Sequence, residues 1–491
     1  MQTAVAAPSF WQSFFRPGQW WLSKVRCLDT SPWPLLWVIG LFAVQAIPAT
    51  LIRASNLEEG RIIAMARGAA EDGHWITPFI YGQRFAERPV LMSWLTALVG
   101  EATGGVTLWS LRIPHLAFFL AGTLLIYCLL RSSTGKAAAI FGAFVWISMP
   151  LVAPKFINAE ADVVLSTLLF AAFCLWWRGH SQGNMTVAKW LGVAGLLALA
   201  GLTKGPQPVA YFTLGVGAYL LLKDWRQLPA FLAANVAAGA LIGCWYVAVL
   251  EQGDAHHWMA HSRLTAAADL HWLHDHLDLL KSLIIETLPA AILLVPAVMV
   301  AWRRRHMHEP DLLLACLLYS SMCTLALLVW PGGVSARYAM PATMTLAVIC
   351  GLMFESWHEH QARATVVALV VSDLIFGGLL MRGWIAMPFR PQLFQESRIA
   401  GTAIANALST QPDGRLHVVA TTTEHNMLVY VRGPIRAVTL DDMARLDMPA
   451  TAVLLPDETR LLAQAHPDLR IQSLVPITAQ RTDYEVVRLS R

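Results

Sequence analysis

Asn56-Leu57-Glu58-Glu59-Gly60-Arg61 follows directly on an apolar run at 33–52, and its reading decides the fold. Two adjacent carboxylates and an arginine stand where a membrane helix would leave the bilayer. Ionisable groups at such a boundary are costly unless they are paired or wet, so the cluster is a functional-site candidate. A solvated helix end is the plain alternative. Asn56 with Glu59 three residues on is a capping-box pattern, which gives Glu59 a structural task that Glu58 lacks. Ile62, Met65, Ala66 and Ala69 then recur at helical spacing, predicting an amphipathic helix along the outer interface with Arg61 within a turn of either acid.

Composition sets the solvent. Of 491 residues, 56% are hydrophobic and 14% charged, against about 25% charged in soluble proteins; this is a polytopic α-helical membrane protein. The net charge of +4 gives no case for a nucleic-acid partner. Seven cysteines are scattered, mostly in apolar runs, without zinc-ligand or disulfide spacing.

A span takes about 20 apolar residues, and the chain offers eleven: 33–52, 111–130, 137–154, 161–177, 188–203, 207–222, 229–250, 282–302, 312–330, 338–354 and 364–383. An odd count puts the two ends on opposite sides. Short basic loops carrying Arg131 and Lys136, Arg178 and Lys189, Lys223 and Arg226, Arg303–Arg305 and Arg363 belong inside by the positive-inside rule. The N-terminus is then cytoplasmic, with the first span an uncleaved anchor. Residues 1–32 form an aromatic and basic lead-in, read as an interfacial helix or as a disordered segment. Residues 33–390 form the membrane domain, with a first outside loop at 53–110. Residues 391–491 form a small extracytoplasmic α/β domain without a catalytic motif. Its strand-like pieces are Leu416–Ala420, Ala452–Leu455 and Val486–Leu489; Asp441–Leu446 and Asp457–Ala465 read as helical.

Further charges return to the outer boundary. Glu87-Arg88-Pro89 precedes a second apolar interfacial helix at Val90–Leu95. Glu160 and Asp162 open the fourth span, Lys204 sits in Thr-Lys-Gly-Pro, and Arg337-Tyr338 opens the tenth span. Each alone could snorkel. Together they supply what chemistry on a lipid-linked phosphate needs: a carboxylate to take a proton and fixed cations to hold the phosphate leaving group. A divalent metal, zinc or magnesium, has one opening, at Glu87 with a histidine from His256, His257 or His261. The alternative is an exposed loop whose histidines bind nothing. A transporter would place charge at mid-span and show paired broken helices; neither is seen.

With these residues in place, the chain resembles the GT-C superfamily of membrane glycosyltransferases, in the branch holding bacterial lipid A aminoarabinose transferases and protein O-mannosyltransferases. An Asp-Glu-x-Arg motif corresponds to Glu58–Arg61, and Phe-x-Glu-Lys-Pro to Phe85–Pro89. Thr-Asp corresponds to Ala161-Asp162. Leu-Thr-Lys-Gly-Pro is intact at Leu202–Pro206, as is Arg-Tyr-x-x-Pro at Arg337–Pro341. Two departures matter: Glu58 stands for the family's aspartate and Arg88 for its lysine, a planar fork in place of a point charge.

The resemblance implies inverting transfer of a sugar from a polyprenyl-phosphate donor to an extracytoplasmic lipid or glycan acceptor, among membrane lipids. It implies that Glu58, with Asp162 and Glu59, supplies the acid–base groups. Lys204, Arg337, Arg61 and Arg88 would bind the donor phosphate, with Tyr338 in support.

Overall fold

The computed structural model describes residues 17–251, 270–294, 309–330, 334–360, 362–411 and 414–491. Eight of its helices are long and apolar enough to cross a membrane, from Pro34–Ile52 to the run Thr365–Phe389. Large apolar side chains such as Leu36, Val236, Val247 and Leu374 stay exposed on them, as a lipid-facing surface requires. The protein is a multi-pass membrane protein.

Ten of the eleven expected spans coincide with helices. At 282–302 only the first part of the expected span lies among the described residues, and its start is corrected. Residues up to Glu286 close a helix that begins at Leu270, and a turn at 287–289 precedes a new helical start at 290–294; residues 295–302 lie outside the described residues. The Trp272 indole N–H donates to the Trp330 carbonyl, and the Glu286 carbonyl accepts from the Leu151 N–H. Both ends of this helix therefore touch the same end of the bundle, so it runs across that end and does not span.

The third expected span also stops early. The Lys136–Ser148 helix has thirteen residues, about 20 Å of the roughly 30 Å hydrocarbon thickness. Met149-Pro150 ends it, and the irregular stretch to Glu160 is almost wholly buried. Non-helical backbone at such depth is tolerated only inside protein. It carries Lys155 and Glu160 inward.

Ion pairs identify the two ends of the bundle. Lys24–Asp373 and Lys223–Asp311 tie one end, where Asp29 and Glu355 also accept from the backbone at Ala137 and Gly135. Glu58, Asp162, Lys204 and Arg337 gather at the other.

At that second end the 53–110 loop is ordered. The Glu59–Ala70 helix buries Ile62, Met65, Ala66 and Ala69, the face its spacing called for. A hairpin of β1 (Phe79–Ile80) and β2 (Gln83–Arg84) follows, then the Leu91–Thr103 helix.

The tail folds as a five-stranded sheet of β3 (Leu416–Val418), β4 (Ile435–Ala437), β5 (Ala450–Leu454), β6 (Arg470–Ala479) and β7 (Thr482–Ser490), in the order β4-β3-β5-β7-β6. The pairs β3–β4 and β3–β5 are parallel; β5–β7 and β6–β7 are antiparallel. Neighbouring strand residues point to opposite faces. Val453 and Val486 join the main core with Ile404 and Leu408 of the Glu396–Ser409 helix, while Ala452, Leu454 and Val487 join a second core with Leu462 of the Pro456–Ala465 helix. Helices thus cover both faces. The sequence reading lacked β4, β6 and the Glu396–Ser409 helix.

Candidate active site

The candidate active site is a cleft at one end of the bundle, lined by Glu58, Arg61, Arg88, Glu160, Asp162, Lys204 and Arg337 with Ile62, Met65 and Met92. Each charged group arrives on a different element. Glu58 sits at the start of the Glu59–Ala70 helix. Arg88 lies in the turn before the Leu91–Thr103 helix, and Asp162 in the first turn of the Ala161–Ser181 helix. Lys204 ends its helix because Gly205, at φ +100°, takes a backbone conformation that side chains disfavour, and Pro206 opens the next helix.

Two carboxylates organise the cations. Arg88 Nη2 lies 3.0 Å from Glu58 Oε1, with Arg61 Nη1 3.7 Å from Oε2 and Arg337 Nη1 4.0 Å from Oε1. Lys204 Nζ lies 2.5 Å from Asp162 Oδ1 and 4.3 Å from the centre of the Tyr338 ring. Lys155 Nζ reaches Glu160 Oε2 at 2.5 Å and Asp162 Oδ2 at 3.9 Å. The Tyr338 carbonyl accepts from the Tyr211 hydroxyl at 3.1 Å, which fixes the backbone beside Arg337. With Lys155, which stands behind the lining, five cations among the described residues face three carboxylates, an excess of two positive charges around one cleft. Arg337 Nε is also buried and finds no acceptor among the described residues. An anion fits both facts.

Glu59 is not in the cleft. Its side chain is fully buried, and its oxygens accept from Arg112 twice and from the N–H groups of Ala159 and Asn56, all at 3.1 Å. The Asn56 N–H bond is the carboxylate half of the expected capping box; the rest is an ion pair that no capping pattern implies. With every oxygen engaged, Glu59 has no access to a substrate, and the expectation that it takes part in acid–base chemistry is corrected.

Sequence reasoning passed over Arg112 and Lys155. The signal was present: an arginine inside an apolar span and a lysine in Ala-Pro-Lys-Phe-Ile are each ionisable groups in an apolar setting. Glu87 is half-buried, while His256, His257 and His261 lie outside the described residues; among the described residues no three His, Cys, Asp or Glu side chains group as a metal would require.

The tail contributes to the rim. His425 stands 5.6 Å from Tyr81, ring to ring, and its imidazole is pushed down to about 4 by burial, with Arg61 acting in the same direction and Glu58 against it.

Comparison with solved structures shows that the chain has the fold of the GT-C membrane glycosyltransferases. ArnT from Cupriavidus metallidurans bound to undecaprenyl phosphate superposes with a TM-score of 0.72 over 93% of this chain and 98% of that one, at 17% identity. The mycobacterial arabinofuranosyltransferase AftD gives 0.52 over 92% of this chain and 39% of that one, at 13% identity. Residues 87–249 match the dolichyl-phosphate-mannose-protein mannosyltransferase family. An undecaprenyl phosphate-alpha-4-amino-4-deoxy-L-arabinose arabinosyl transferase of Pseudomonas aeruginosa is 27% identical over 352 residues, covering 69% of this chain and 62% of that one. Its counterpart in Erwinia tasmaniensis is 24% identical over 317 residues, covering 62% and 56%. The chain thus spans about six-tenths of the length of these curated relatives. The resemblance read from the five motifs, to the lipid A aminoarabinose transferase branch, stands.

Proposed function

We propose that this protein transfers a sugar from a polyprenyl-phosphate donor to a lipid acceptor at the outer face of a bacterial inner membrane. The observation that carries the reading is the cleft itself. It combines an excess of positive charge among the described residues, a buried Arg337 Nε without an acceptor among them, and a carboxylate, Glu58, open to the same space. The similarity to undecaprenyl phosphate-alpha-4-amino-4-deoxy-L-arabinose arabinosyl transferases favours an undecaprenyl-phosphate aminopentose as donor, and the resemblance carried by the five motifs favours lipid A or a related glycolipid as acceptor.

In this reading Lys204, Arg337, Arg61 and Arg88 hold the donor phosphate, and Tyr338 packs beneath Lys204. An acceptor oxygen attacks the anomeric carbon as the bond from that carbon to the phosphate oxygen breaks. The electron pair leaves with the polyprenyl phosphate, where the fixed cations stabilise it, and Glu58 takes the acceptor proton. Asp162 orients Lys204. A single displacement inverts the anomeric centre. The cleft faces the periplasm, and the N-terminus the cytoplasm. A divalent metal at Glu87 with a histidine of 256–261 is a separate element of the proposal, and transfer measured before and after chelation tests it.

The deciding experiment is mass spectrometry of envelope glycolipids from cells with and without the protein, paired with transfer by purified protein from undecaprenyl-phosphate aminoarabinose to lipid A. Identical glycolipid profiles and no transfer would sink the reading. A protein O-mannosyltransferase-like activity would show instead as glycosylated protein.

A further inference from the structure

The tail does not merely rest on the membrane domain; it grips the turn that carries Glu58. Asn426, buried and at the start of a short helical turn, spends its whole side chain there. Its Oδ1 accepts from the Gly60 N–H at 3.0 Å and the Ser55 hydroxyl at 2.7 Å, and its Nδ2 donates to the Leu57 carbonyl at 3.0 Å. These three partners bracket Glu58 in sequence. Nδ2 also donates to Glu424 Oε1 at 2.6 Å, which fixes which way the amide faces.

Two further features show that the grip shapes the turn. Leu57 sits at φ +51°, a left-handed conformation that a branched aliphatic residue adopts only when its surroundings impose it. Gly60 lies so close that a Cβ there would stand 2.6 Å from the Asn426 nitrogen and the His425 carbonyl carbon. Around this point the tail is tied to the same loop elsewhere. Arg67 donates to the carbonyls of Leu428, Val429 and Val431, Arg436 forms a two-point pair with Asp72, and the Ala437 N–H donates to the Tyr81 carbonyl.

We infer that Asn426 is a positioning residue: through Leu57 and Gly60 it sets where the Glu58 carboxylate stands among Arg61, Arg88 and Arg337. The tail is thereby a working part of the active site, although it lends no group to the reaction. The claim about chemistry rests on the transferase reading; the claim about geometry does not.

The test compares full-length wild type with Asn426→Ala and with Ser55→Ala, which removes a single bond of the grip and leaves the tail intact. Hydrogen exchange of the substrate-free protein reads the geometry. Segment 55–61 should lose protection at least tenfold in Asn426→Ala, and less in Ser55→Ala, while the Leu108–Arg131 helix is unchanged. Unaltered exchange at 55–61 overturns the inference whatever the protein catalyses. Transfer from undecaprenyl-phosphate aminoarabinose to lipid A reads the chemistry. The turnover should fall tenfold or more in Asn426→Ala with the donor KM within about twofold, because a misplaced Glu58 affects the transition state more than donor binding. Loosened exchange with unchanged turnover, or a KM effect alone, overturns the positioning role. If wild type itself transfers nothing, the transferase reading fails, and the exchange result still decides the grip.

Discussion

Arg112 and Glu59 form a two-point ion pair inside the protein, Nε to Oε1 and Nη2 to Oε2, each at 3.1 Å, with side chains 5% and 0% exposed. Arg112 also donates to the carbonyls of Thr50, Arg53 and Ala54, where the first span ends. One buried pair therefore pins the first span, the first loop and the Leu108–Arg131 helix together. Removing one partner leaves the other charge buried and uncompensated, which typically costs about 3–5 kcal/mol. Glu59→Gln and Arg112→Met should each lower the unfolding temperature strongly in detergent, and the double variant should lose less than the sum of the two. Additive losses would mean that the pair is not coupled. The sequence alone, seeing only a cap, would put the Glu59→Gln cost at about 1 kcal/mol or less.

Glu58→Gln tests the neighbouring acid. The side chain keeps its shape and loses its charge, and a positioned general base is worth about 10²–10⁴-fold. Transfer should fall by that order while thermal stability barely changes, since the arginines around it remain 23–36% exposed to water. Glu58→Asp, which restores the family's residue, should retain partial activity. Full activity in Glu58→Gln would leave Asp162 as the next candidate base.

Lys204→Ala and Arg337→Ala remove cations that the cleft aims at one space. A charge-assisted contact contributes about 1.5–3 kcal/mol, so donor use should drop roughly tenfold or more in each variant at unchanged expression. Parental rates in both would refute the phosphate assignment.

Acid should destabilise the contact between tail and loop. Burial depresses the folded His425 pKa from 6.5 to about 4, with Arg61 adding to it. Between those values the unfolded chain binds a proton that the folded one refuses. Stability is therefore full above pH 6.5, is lost as pH falls toward 4, and is flat in this term below that. The shift corresponds to about 3 kcal/mol at most. Unfolding temperature against pH should be shallower in His425→Asn over that window; identical slopes would show that His425 does not titrate this way.

The charge bias of the loops predicts a periplasmic tail. A reporter that is active only outside the cytoplasm, fused at the C-terminus, should be active. Cytoplasmic activity would invert the topology and with it the placement of the cleft.

Local pattern made the membrane class, the helix along 59–70 and the position of most spans legible, because each follows from apolar periodicity that neighbouring residues share. Charge at the helix ends likewise exposed Glu58, Asp162, Lys204 and Arg337, since an ionisable group beside hydrocarbon needs a reason to be there. The functions of neighbours in sequence could not be separated that way. Glu58 and Glu59 are adjacent and chemically alike, yet one faces the cleft and the other is sealed against Arg112, 53 residues away. Only packing decides that, because successive residues at a helix start point in different directions and meet different elements. Lys155 enters the site because a helix ends at Ser148 and the chain folds inward, a length that composition does not encode. The tail's part was invisible for the same reason: Asn426 reads as an ordinary polar residue until tertiary contact places its amide on Ser55, Leu57 and Gly60, more than 360 residues earlier.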